Sequence, residues 1–239
     1  MPSEIENSNA NKTQRAYARL AGCLFLGVII LAFGSGLILS HIAGSGTFPE
    51  TARRIAASER LYRTALSTAV IASLGSVLLA FALYATLRPA NSLLATLAMI
   101  FSVGDSFLGL VVRMCSFVRL HLYTSAQTSA QTAGAAPILA QTLSDLIRNI
   151  AGTTENIGGI AFGVGSLLFF YLFFKSRYIP RILSALGVFA SVIWIGLYLA
   201  SLVFPEKRAV FQYICFPPMG LADVLTGFYL MLFGLAAHT

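Results

Sequence analysis

LAGCLFLGVIILAFGSGLILSHI, the stretch from Leu20 to Ile42, contains no Asp, Glu, Lys or Arg. About 20 residues in a helix, at about 1.5 Å each, cross the roughly 30 Å hydrocarbon core of a bilayer. The apolar positions run on without alternation, so the segment reads as a helix and not as a strand of a membrane barrel. Lys12, Arg15 and Arg19 precede it. A secretion signal begins the same way, but its apolar core is only about 7–15 residues long. The stretch is therefore expected to remain as a first span.

Outward from it, the pattern recurs. Further spans are expected at about 63–87, 91–118, 153–174, 181–204 and 217–236. Arg88-Pro89 stop the second, and Lys175 and Arg177 close the fourth. Pro180 opens the fifth and Pro217-Pro218 open the sixth, since a missing N–H is harmless in a first helical turn. The fold class is all-α, a polytopic bundle of six transmembrane helices. Residues 1–18 read as a polar, disordered arm and residues 19–239 as a single domain. Two short interfacial helices complete the outline. After the break at Gly44–Gly46, Thr47 and Glu50 have capping-box spacing, and Ala52, Ile55 and Ala56 oppose Arg53, Arg54 and Arg60. The residues from Tyr123 to Pro137 read as a loop, and Ile138 to Ile150, with Asp145 and Arg148, as the second interfacial helix.

Composition agrees. Of the 239 residues, 57% are hydrophobic and 10% charged, whereas a soluble domain carries about 25% charged residues. The bilayer is the expected partner. The net charge of +7 does not point to nucleic acid, because the basic residues fall at the ends of apolar runs, where they anchor helices and attract anionic headgroups. The short-connection charges Arg88, Lys175, Arg177 and Arg181, with Lys12, Arg15 and Arg19, favour an amino terminus in the cytoplasm. Cys23, Cys115 and Cys215 have no metal-ligand spacing; a bridge between Cys115 and Cys215 is open if both lie on one membrane side. No cofactor and no metal are expected.

Arg19-Leu20-Ala21-Gly22 heads the first span. Ala57-Ser58-Glu59 with Tyr62-Arg63 precede the second, and Tyr84 with Leu87-Arg88-Pro89 follow it. Tyr178-Ile179-Pro180-Arg181-Ile182-Leu183 lead into the fifth. Together these motifs resemble the bacterial membrane family named domain of unknown function 4386, from Arg19 onward. The resemblance implies a six-span protein of the bacterial cytoplasmic membrane and carries over no catalytic residue.

Three carboxylates, Asp105, Glu155 and Asp223, fall inside expected spans. A charge at a helix centre costs about 2.5–3.5 kcal/mol on insertion scales, so such residues face the bundle or a wet cavity. Each has a glycine four residues later (Gly109, Gly159, Gly227), on the same helix face and suited to close helix approach. With the expected boundaries, all three acids lie toward the non-cytoplasmic side, with Arg113 and Arg63. The candidate site is a polar cavity of Asp105, Arg113, Glu155, Asp223, Arg63 and Glu59, with Glu59 paired to Arg63. It would bind or move a small polar molecule or a lipid headgroup, or pass protons. A second reading has the acids and arginines merely neutralising one another. A third is an intramembrane enzyme on a lipid or isoprenoid substrate, with Asp105 or Glu155 as general base, and a fourth a structural or regulatory subunit. His41 and His121 read as interfacial residues. Gly34-Ser35-Gly36 and Gly165-Ser166 sit within helices, which argues against nucleophile turns.

Overall fold

The computed structural model describes residues 2–129 and 136–235. Seven α-helices occur among them: α1 Pro2–Ala43, α2 Phe48–Ala57, α3 Glu59–Leu87, α4 Ser92–Ser129, α5 Ala136–Ser176, α6 Arg181–Val203 and α7 Arg208–Phe233. A 3-10 turn, Pro205–Lys207, joins the last two. All but α2 are long and apolar enough to cross a membrane. Ile182, Phe189, Leu221 and Phe228 stand exposed, which suits a surface whose solvent is lipid.

Four boundaries differ from those expected. The backbone of residues 2–18, expected to be disordered, continues α1. Once a helix is nucleated by an apolar segment, each added residue costs only propagation. The side-chain amide of Gln14 also donates to the carbonyl of Thr86 at 2.8 Å, serving a carbonyl that the end of α3 leaves unpaired. At the far end of the third span, α4 runs on to Ser129, so residues 123–129 are helix rather than loop. The rest of the expected loop includes residues 130–135, outside the described residues. Residues 138–150 form no separate interfacial helix: they are the first turns of α5, where Gly152 does not interrupt the backbone ladder. Finally, α7 begins at Arg208 and contains Pro217 and Pro218. Proline removes a backbone bond, but membrane helices tolerate it where neighbours and local adjustments re-satisfy the freed groups.

The helices form two compact units. The first comprises Met1–Ile29, Leu74–Ser106 and Asn156–Thr239, the second Ile30–Ser73 and Phe107–Glu155. The first unit is knit by small residues. Ala18, Ala21, Ala95, Ala98 and Ala190 are fully buried. A Cβ on Gly165 would lie 2.5 Å from the Ser102 hydroxyl, so α4 and α5 meet almost backbone to backbone. Gly22 abuts the backbone of Met231, and Gly227 abuts Leu26 and Phe25, which seats α1 on α7. Trp194 fills the space between α5, α6 and α7. Its indole N–H donates to the carbonyl of Gly159 at 2.9 Å. Its ring stacks on Tyr198 with centroids 4.9 Å apart and meets Phe162 at 5.1 Å and Phe216 at 5.0 Å.

In the second unit, α2 lays Ala52 and Ile55 into a cluster with Ile42, Tyr62, Leu66, Leu120 and Tyr123. Gly44, at φ +57, ends α1. Arg54 then donates to the exposed carbonyls of Ala43 at 2.9 Å and Ser45 at 3.2 Å, holding α2 under the end of the first span. Cys23, Cys115 and Cys215 are free thiols.

Two glycines make a direct comparison. A Cβ on Gly159 collides with the Tyr198 ring, whereas one on Gly196 meets nothing within 4 Å. Gly159→Ala is expected to lower stability by roughly 1–3 kcal/mol through overpacking. Gly196→Ala should be neutral or stabilising by up to about 1 kcal/mol. Thermal unfolding of the two purified variants checks the contrast.

Candidate functional site

The six candidate residues divide between the units. Asp105 and Asp223 belong to the first; Glu59, Arg63, Arg113 and Glu155 belong to the second. The expected pair is present: the Arg63 Nε donates to Glu59 at 2.7 Å, one turn apart on α3. Both side chains are well exposed, so solvent and headgroups screen the pair and its worth is about 0–1 kcal/mol. Glu155 is an exposed residue of α5. Arg113 is half-buried on α4, and its Nε is enclosed without a hydrogen-bond partner.

Asp223 is buried and Asp105 half-buried. Because α7 starts at Arg208, Asp223 is not in the first two turns of its helix, as expected, but beyond its middle. It lies about 15 Å before the end of α7 at Phe233, while Asp105 lies about 20 Å past the start of α4 at Ser92, at about 1.5 Å per residue. In six alternating spans those two helix ends share a membrane face, so the two acids stand at similar depths. Neither makes an ion pair or hydrogen bond with any described residue. Two more buried polar atoms of the same unit lack partners, Asn156 Oδ1 and Thr226 Oγ1. Thr226 is one turn beyond Asp223, on the same face.

The glycines that follow the acids do mark helix contacts. Gly109 faces the Ser73 hydroxyl, Gly159 faces Tyr198, and Gly227 faces Leu26 and Phe25. Gly159 and Gly163, one turn apart, form a seam inside the bundle, with Ile195 2.6 Å from a Cβ placed on Gly163.

A polar group that the sequence reading passed over lies in the second unit. Arg119 donates from Nη2 to the Tyr123 hydroxyl at 2.6 Å and from Nε to the Ser144 hydroxyl at 3.4 Å. Ser144 in turn donates to the Tyr123 oxygen at 3.5 Å. Tyr123 and Ser144 are almost fully buried, and Phe48 of α2 covers the Tyr123 ring at 5.2 Å. The available signal was Arg119 and Tyr123 at i, i+4 spacing, hidden by ending the span at 118. Elsewhere in this unit an apolar groove of about 510 Å³ is lined by Leu37, Ile38, Ser40, His41, Ile42 and Leu61. Among the described residues no three His, Cys, Asp or Glu side chains gather as metal ligands.

Six apolar spans with polar groups held among them define an α-helical, multi-pass membrane protein. A family model, domain of unknown function DUF4386, matches residues 20–234, and the chain belongs to that family. No curated protein and no solved structure matches it.

The cover over Tyr123 depends on α2, whose first turn is closed by Glu50 accepting from the Thr47 N–H at 2.9 Å. That bond, then the Thr47 side chain and the nearby Arg54 and Arg53, hold the Glu50 carboxyl below its ordinary value of 4.5. A lowered pKa means the contribution is present above the unfolded value and is lost as pH falls through the folded one. Protection of the first-turn amides of α2, taken relative to the unfolded exchange rate at each pH, is therefore expected to fall only below about pH 4.5. In Glu50→Gln that protection should already be lower at neutral pH and should not change with acid over that window.

Proposed function

We infer that the protein binds a small polar molecule in its first unit and moves it across the membrane, with Asp105 and Asp223 as the groups that receive it. The unpartnered state of these two carboxylates carries the reading. A buried carboxylate on a span costs several kcal/mol unless it faces a cavity or a partner, and no described residue supplies a partner. A role limited to neutralising an arginine is disfavoured by the same fact. Asn156 and Thr226 add unmatched polar atoms. The two carboxylates and Asn156 Oδ1 lack hydrogen donors and positive charge, which suits a proton, a small cation or a molecule or headgroup bearing an amine. In this reading the protein lies in the bacterial cytoplasmic membrane with its amino terminus inside. Arg88, Lys175, Arg177 and Arg181, in or beside the short connections, support that orientation.

Trp194 is the chain's single tryptophan and reports on the unit that holds both acids. In wild-type protein its fluorescence should change saturably when pH, sodium or methylamine is titrated. Asp105→Asn and Asp223→Asn should lose that response and gain on the order of 1–3 kcal/mol of stability, because an uncompensated charge is removed. Variants that unfold more easily than wild type, alongside a wild-type signal that responds to none of the three, would sink the reading and leave the acids a structural role.

A further inference from the structure

We propose that Arg119, Tyr123 and Ser144 form an oxyanion site at the membrane surface, which clamps a phosphate group, in a lipid headgroup or free. The site belongs to the second unit and stands independently of Asp105 and Asp223.

The hydrogen-bond inventory is the starting point. A guanidinium has five N–H donors, and Arg119 spends two, on Ser144 and Tyr123. The other three have no acceptor among the described residues, and no described carboxylate lies within ion-pair distance. The Tyr123 oxygen accepts from both Arg119 and Ser144, so its own proton has no acceptor among the described residues. Three N–H groups and an O–H, around a fixed positive charge, match the acceptors of a phosphate, which arginine grips bidentately. A partly buried arginine without a carboxylate beside it is costly when nothing balances it.

The group is also held rigidly. Ser144 from α5 and Tyr123 from the same helix as Arg119 orient the guanidinium plane. The Arg119 carbon lies 5.6 Å from the Tyr123 ring centroid, so the ring limits its swing. Tyr62, in the first turn of the second span, is buried in the same cluster as Tyr123 and within electrostatic reach of Arg119. That level is where a span meets the headgroups. The amphipathic α2 covers the cluster there and keeps Arg53 exposed on its outer face, which adds to the attraction for anionic lipid.

The experiment measures the melting temperature of the full chain in detergent against added dioleoyl phosphatidylglycerol, dioleoylglycerol and inorganic phosphate. The phospholipid should raise it saturably and dioleoylglycerol, with the same tails and no phosphate, should not. Stabilisation by inorganic phosphate as well identifies a free-anion source; its absence, with the phospholipid active, identifies the headgroup. Arg119→Gln should weaken apparent affinity about tenfold or more. Should that variant fail to fold, Tyr123→Phe, which keeps the ring and removes the hydroxyl, should weaken it about threefold or more. Equal stabilisation by the two lipids with no effect of phosphate, or unaltered affinity in a folded variant, overturns the site.

Discussion

The hydrogen bond from the Trp194 indole to the Gly159 carbonyl depends on a missing side chain. Any Cβ at Gly159 would run into Tyr198, and without that space Trp194 could not approach the α5 backbone. Apolar lipid gives helices no hydrophobic reason to associate, so close packing and interhelical hydrogen bonds must do it. Each aromatic contact of Trp194 adds roughly 0.5–1.5 kcal/mol beyond the area it covers. The single indole thus couples α5 to α6, and through Phe216 to α7. The small-residue seam of α1 on α7, at Gly22 and Gly227, extends the same device to the first span.

Most polar side chains in the spans are made harmless by their own helix. Thr86, Ser106, Ser191 and Ser201 each donate to the carbonyl four residues earlier, at 2.7–2.9 Å. Such a bond satisfies the hydroxyl inside the helix and asks nothing of a neighbour. A carboxylate has no proton to give in this way, and it accepts nothing from a backbone whose N–H groups are already used. Asp105 and Asp223 therefore stand apart from the other polar residues by chemistry, not only by position.

The spans were legible because hydropathy over about 20 residues is a strong, local quantity, and the capping box at Thr47 and Glu50 because it needs only two residues at fixed spacing. Boundaries failed where the local signal and the energetics part company. Pro217-Pro218 read as a helix start, since proline is costly inside a helix in water; in a packed membrane helix the cost falls. Residues 138–150, with Asp145 and Arg148, read as an interfacial helix separate from the span at 153–174, yet one backbone ladder runs through both as α5. Trp194 said little as a letter in a row, because its importance is made by Gly159, 35 positions away. The acid-to-glycine spacing was readable and does mark helix contacts. Which acids lack a partner was not, for that depends on what faces them across the bundle.

The chain readily forms ion pairs when it places opposite charges one turn apart, as Glu59 with Arg63 and Asp145 with Arg148 show. Those pairs sit at exposed positions, where they are worth least. At the more enclosed positions the order is reversed. The first unit holds Asp105 and Asp223 without a described cation, and the second holds Arg119 with donors to spare. If stability alone had shaped these residues, one substitution on a neighbouring turn would have neutralised each, by the same i, i+4 geometry used on α3. An imbalance of opposite sign in the two units, unpaired carboxylates in the first and spare guanidinium donors in the second among the described residues, is the common ground of the two proposals.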